Sequence, residues 1–245
     1  MPEPVAVSQP QAAPKSLPAR VVGVLVSPGE TFQSIVAHPT WLGVLALVVL
    51  AAVGGTFALL STEVGQNALL DQQIRSAEAW GRTVTDEQAA DMERMLPMMR
   101  YFVAGSTLVA APVMTFAIAG ILLGVFNALL GGAASYKQVL AVVAHAGVVT
   151  LVQQIFTLPL NYARESLSSA TNLTVFLPFL EEGSLPARFL GMIDLFLVWW
   201  LVVMGIGLAV LYRRRTSPIV WSLLGAYVVI AGIIALVMRL FSGGE

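Results

Sequence analysis

The sequence predicts an all-α fold: a polytopic membrane bundle of five transmembrane helices, with an N-terminal interfacial helix and a helical extramembrane loop. Three observations predict it. Hydrophobic residues make up 57% of the 245-residue chain and charged residues only 11%, whereas a soluble domain carries about 25% charged residues. Two long apolar runs, Phe102–Leu130 and Val139–Leu160, contain no Asp, Glu, Lys or Arg. Each can cross a bilayer, which takes ~20 residues at ~1.5 Å per residue. The segment joining them, Gly131 to Gln138, is too short to hold a domain, so the two runs form a helical hairpin in the membrane.

The remaining elements follow in chain order. Residues 1–20 hold five of the thirteen prolines, with Ala, Gln and Ser. Such a segment buries too little apolar surface to offset its ordering entropy and is expected to be disordered. The run Val21–Val26 is too short, and follows no basic start, to be a signal peptide. Ser27-Pro28-Gly29-Glu30 opens a helix, with Ser27 at N-cap, Pro28 at N1 and Glu30 at N3 to close a capping box. Phe32, Ile35 and Val36 then share one side, and the helix ends near His38-Pro39. At this length it is expected to lie on the membrane surface.

A membrane domain over residues 22–241 follows, with spans at about 41–60, 107–130, 139–160, 189–212 and 219–240. Trp41, Trp199, Trp200, Tyr212 and Trp221 sit at or toward span ends, where aromatic rings suit the interface. The polar loop 61–100 is read as helix–turn–helix. Thr85-Asp86-Glu87-Gln88 is a second capping-box pattern, opening a helix that Pro97 ends or kinks. Its methionines, Met92, Met95, Met98 and Met99, are expected to cover the protein's own surface. Arg213-Arg214-Arg215 and Lys137 fall on the side of the N-terminus. The positive-inside rule then places the N-terminus in the cytoplasm and the C-terminus outside, in a cytoplasmic membrane.

Chemistry-bearing groups are few. A formal charge of −1 gives no case for nucleic-acid binding. The absence of cysteine excludes thiolate chemistry and cysteine–metal sites. His38 and His145 lie far apart with no metal-ligand spacing, so no metal and no cofactor is expected. No GxSxG motif and no paired carboxylates at membrane depth occur, so no catalytic residue and no enzyme is expected.

Polar groups inside a membrane are costly and mark candidate contacts. Counting depth puts His145 near one surface, level with Gly124, and Asp194 near the other. Gln153 and Gln154 lie at the depth of Asp194 but point ~100° apart, so one of them, or interface water, is the expected partner of Asp194. Gly120, Gly124, Ala128 and Gly132 repeat every four positions. Small residues at that spacing let helices approach, here inside the monomer or across a homodimer. Pro112 is expected to kink the same span.

Three stretches together resemble the Yip1-domain family. They are Ser27-Pro28-Gly29-Glu30-Thr31-Phe32-Gln33-Ser34-Ile35 with His38-Pro39, Gly131-Gly132-Ala133-Ala134-Ser135-Tyr136-Lys137-Gln138-Val139-Leu140, and Asp194-Leu195-Phe196-Leu197-Val198-Trp199 leading to Gly205-Ile206-Gly207-Leu208-Ala209. The resemblance implies five transmembrane helices and a cytosolic N-terminus. Eukaryotic members are linked to vesicle trafficking and bind Rab-type GTPases and each other; the short tail and lack of cysteine look more like the bacterial branch. The family often has a proline in the middle of span three. Here Val148 and Val149 stand there and the proline comes at Pro159, which moves the expected kink.

The function expected is a non-enzymatic membrane scaffold or adaptor. Its contacts would be Ser27, Glu30, Arg213, Arg214 and Arg215 at the cytoplasmic face, with the lipid bilayer and a membrane-protein partner or second copy as partners. The alternative is a small transporter or lipid-moving protein using His145, Gln153, Gln154 and Asp194.

Overall fold

The computed structural model describes residues 15–181 and 183–241. The disorder expected of residues 1–14 lies outside the described residues. Leu17–Arg20, expected to be disordered with them, instead open a helix, α1 (Leu17–Val26). Pro18 falls in its first turn, where a missing N–H costs nothing, and Val24 and Arg20 gain burial against the bundle.

The chain continues through α2 (Pro28–Ala37), α3 (Leu42–Leu60), α4 (Glu63–Ala79), α5 (Asp86–Leu123), α6 (Tyr136–Ala146), α7 (Val148–Ala163), α8 (Leu185–Gly191), α9 (Leu195–Tyr212) and α10 (Thr216–Phe241). A π-helical turn, Gly124–Leu129, follows α5, and a 3₁₀ turn, Leu173–Phe176, precedes α8. Among the described residues, five helical stretches are long and apolar enough to cross a membrane: α3, α5 with its π turn, α6–α7, α9 and α10. This is an all-α polytopic bundle, as expected.

The boundaries differ in instructive ways. Span four starts at Leu195, not near 189, because Asp194 takes an extended backbone conformation (φ −100°, ψ 135°) and caps α9. Phe189–Gly191 belong to α8. Span two grows out of a helix that begins at Asp86 and runs through both Pro97 and Pro112, so Pro97 ends nothing. The capping box at its start is formed: Gln88 N–H donates to Thr85 Oγ1 at 3.3 Å and Thr85 N–H to Gln88 Oε1 at 3.2 Å. Span three breaks at Gly147 rather than at Pro159, which α7 passes through. Gly147 stands at that break with φ −56° and ψ −15°.

Span three, not the hairpin as a whole, is the centre. Every residue from Val139 to Ala146 is buried. In span two only 11% of the most apolar window is buried, against 56% in span three. The α1–α2 pair supplies part of the cover. The helix expected at the membrane surface packs on the bundle: α2 buries Thr31, Phe32, Ser34 and Ile35 against α6 and α9. Phe32 abuts Gly207, where a β-carbon would fall 2.9 Å from the ring. Gly207 lies five residues before Tyr212, so Phe32 sits ~8 Å inside the end of span four. Ten residues are too few to cross, but α1 and α2 pack on each other as a wedge. Gly23 makes that possible, since a β-carbon there would fall 2.3 Å from Thr31 Oγ1.

Two methionines depart from expectation. Met95 and Met98 are 57% and 72% exposed, so they cover nothing. Met99 does pack, beside Leu60, Leu69 and Leu96. At the same level Arg100 lies 5.8 Å from the Phe57 ring and 4.9 Å from the Tyr101 ring. Such an aromatic and cationic belt suits the membrane surface.

Candidate functional site

The sequence-predicted polar residues resolve into separate places rather than one centre. His145 is fully buried. One turn of α6 makes its Nδ1 a donor to the Ala141 carbonyl oxygen at 2.7 Å. Its Nε2 is buried without a hydrogen-bond partner. The expected neighbour, Gly124, is elsewhere: it faces outward with nothing within 4 Å of a built β-carbon. Helix α6 packs against α1, whose Arg20 is also buried. Arg20 itself donates to the Lys15 carbonyl oxygen at 2.8 Å and to Thr40 Oγ1. Neither α1 nor this arginine was foreseen, because a proline-rich start masked the helix.

Asp194 stands at the opposite end of the bundle. Its Oδ1 accepts from the N–H groups of Phe196 at 2.8 Å and Leu197 at 3.2 Å, as an N-cap should. Its Oδ2 accepts from Ser169 Oγ at 2.7 Å and Thr171 Oγ1 at 2.5 Å. Burial pushes this carboxyl's pKa up, but the bonds from Thr171, Ser169, Leu197 and Phe196 outweigh it and hold the pKa below the ordinary value. Backbone bonds Leu173 N–H to Ile193 O and Leu195 N–H to Thr171 O, both 3.0 Å, pin the same loop. The expected glutamine partner is therefore corrected: hydroxyls from the loop after α7 take that place. They come from a distant turn, which depth counting along spans does not see.

The two glutamines diverge as their ~100° offset requires. Gln153 lines a cavity of about 500 Å³ that also touches Asp194. Gln154 turns to span one, 3.0 Å from a β-carbon built at Gly55. His145 does not line that cavity; the fully buried Val148 and Val149 lie between them along the chain.

The small-residue stripe is mostly on the outside. Gly120, Gly124 and Ala128 are exposed, and the two glycines have open space around them. Packing inside the monomer is thus corrected for these three, because span two is peripheral and small size alone does not bring a neighbour. Gly132 does pack, with Tyr212 Cε1 2.4 Å from a built β-carbon.

That contact belongs to a corner the sequence reading missed. Asn127, in the π turn, donates to the Ala134 carbonyl oxygen at 2.8 Å and accepts from its N–H at 3.3 Å. Tyr212 Oη–H donates to Asn127 Oδ1 at 3.0 Å, and the Tyr212 ring stacks on Phe126 at 4.8 Å. A lone Asn in an apolar run was the available signal. Directly after Tyr212 come Arg213, Arg214 and Arg215, all exposed. Arg213 ends α9 in a left-handed conformation (φ 51°), and Arg214 reaches the Leu130 carbonyl oxygen at 3.5 Å.

At the other proposed contact, the capping box does not form. The Ser27 side chain makes no capping bond. Glu30 is exposed and pairs with Lys15 at 3.2 Å. A second helix ending at Val26 hands Ser27 to both helices at once, and its N–H goes back to Gly23.

A family model described as the Yip1 domain matches residues 22–239. Comparison with curated proteins and with solved structures finds no match.

Proposed function

The chain belongs to the Yip1-domain family, and from that premise we propose that it is a non-enzymatic scaffold or adaptor of the membrane, working at the cytoplasmic face. The observation that carries the reading is the corner at Tyr212. Three exposed arginines leave a helix end that Asn127, Phe126 and Gly132 hold in place. A pre-ordered basic patch loses less entropy on binding than a floppy one. Each arginine near an anionic leaflet adds roughly 1 kcal/mol of attraction. A protein partner with an acidic surface would use the same charges. The positive-inside rule puts this corner and the N-terminus in the cytoplasm.

The polar groups support this reading over transport. Asp194 lines the cavity and His145, itself fully buried, does not. Asp194 spends its carboxylate on capping and loop bonds.

The chain has no cysteine, so Arg215→Cys gives a single probe. A membrane-impermeant thiol crosslinker should react with it only from the cytoplasmic side and capture a discrete partner in native membranes. Arg213→Ala with Arg214→Ala, or Glu30→Ala, should diminish that capture. Labelling from outside would overturn the orientation, and a protein that captures nothing would overturn the scaffold.

A further inference from the structure

We propose that the cavity between spans three and four binds a protonated primary amine, and that its natural source is the headgroup of an aminophospholipid. The cavity occupies about 500 Å³. One wall is a polar stripe along α7: Thr150, Gln153, Thr157 and Asn161 all line it. Their spacings of three, four and four place them on one helical face. The stripe runs ~17 Å from near the membrane surface toward its middle. A polar stripe of that length on a spanning helix is costly if lipid tails fill the space beside it.

The stripe is also under-satisfied. Asn161 Oδ1 is buried with no hydrogen-bond partner. Among the described residues, the Gln153 side chain has no hydrogen bond either. An orphaned acceptor of this kind calls for a ligand that donates. Asp194 adds a negative charge at the mouth, with no basic side chain in the lining. An anionic ligand is therefore disfavoured and a cation attracted. Trp200 also lines the wall, and an indole ring attracts an ammonium group. Phe196, Leu197, Leu167 and Ala170 give the lining an apolar part that fits the start of an acyl chain, while Ser169, which also lines it, already donates to Asp194. A primary ammonium supplies three N–H donors. A quaternary ammonium supplies none and leaves Asn161 Oδ1 unpaired.

The test uses the purified full-length protein and native mass spectrometry after mixing with phosphatidylethanolamine, phosphatidylcholine or phosphatidylglycerol. Phosphatidylethanolamine should be retained about tenfold better than the other two, the discrimination expected of a charge-assisted hydrogen bond. Asn161→Leu and Gln153→Leu should each remove most of that preference. Asp194→Asn, which keeps the shape and removes the charge, should weaken it too. Ile155→Ala, on the 77% exposed side of the same helix, should leave it unchanged. Thermal melting of each variant separates lost binding from lost folding. Free ethanolamine that binds in place of the lipid keeps the amine site but assigns it a soluble source. Equal retention of all three lipids with no ethanolamine binding overturns the proposal, as do folded variants that keep the preference. The site lies at the other end of the bundle from the arginine corner, so its failure leaves the scaffold reading intact.

Discussion

Replacing Phe32 by alanine tests whether α2 is a wedge within the bundle or a helix on its surface. Phe32 is fully buried, with its Cε1 and Cδ1 atoms 2.9 and 3.0 Å from a β-carbon built at Gly207. In water-soluble cores a Phe→Ala change costs ~3–5 kcal/mol, part of it transfer to water. In a bilayer the displaced ring meets lipid, which is as apolar as the core, so the transfer part shrinks. What stays is the cavity: roughly 100 Å³ at ~24 cal/mol per Å³ is ~2 kcal/mol. For a chain of this size that corresponds to a Tm drop of about 4–8 °C. Thermal unfolding in detergent, followed by intrinsic tryptophan fluorescence, measures it. Val26→Ala, at a side chain 78% exposed, is the control and should shift Tm by about a degree at most. A Phe32→Ala protein that melts with the control would refute the wedge and return α2 to the membrane surface.

Two further outcomes are expected. The folded-state pKa of Asp194 lies below the ordinary value of 3.8. Its contribution to stability is therefore present above that value and is lost as pH falls through it toward the lowered folded pKa. Melting temperatures measured from pH 7 down to pH 3 should show this loss, and Asp194→Asn should flatten it. At the arginine corner, Tyr212→Phe removes one hydrogen bond to Asn127 and should cost ~1 kcal/mol. Asn127→Leu removes three hydrogen bonds and should cost more, and adding Tyr212→Phe to it should cost little extra, because the partner is already gone.

Much of the fold was legible. Runs of ~20 apolar residues have few options, because lipid cannot satisfy open backbone groups and a helix satisfies them internally. The Thr85–Gln88 box was readable for a similar reason: its partners lie three residues apart on the chain. The Ser27–Glu30 pattern looked the same and failed, because α1 arrives from the other side and Lys15 claims Glu30. The local signal was sound, and a neighbour outcompeted it.

The candidate sites were less legible. Residue type marked His145, Gln153, Gln154 and Asp194 as unusual at membrane depth, and their separate depths followed from helical rise alone. Their partners did not follow. Ser169 and Thr171 reach Asp194 from an irregular loop with no periodicity to read. Gly120 and Gly124 advertised packing, but only the bundle's arrangement shows them facing outward. Asn127 was visible as a polar residue in an apolar run, yet nothing local says that Tyr212, 85 positions away, would bond it.

The sequence by itself determined that this is a five-span helical membrane protein, roughly where each span lies, and that Gln153 and Gln154 diverge. Those properties depend on one helix and its solvent. Only the tertiary structure decided that span three is the centre, that α1 and α2 wedge into one end, and that a polar cavity opens between spans three and four. Those depend on which apolar surface meets which. Every spanning helix offers lipid and protein nearly the same apolar face, so hydropathy cannot rank the pairings; side-chain shape and a few buried polar bonds do.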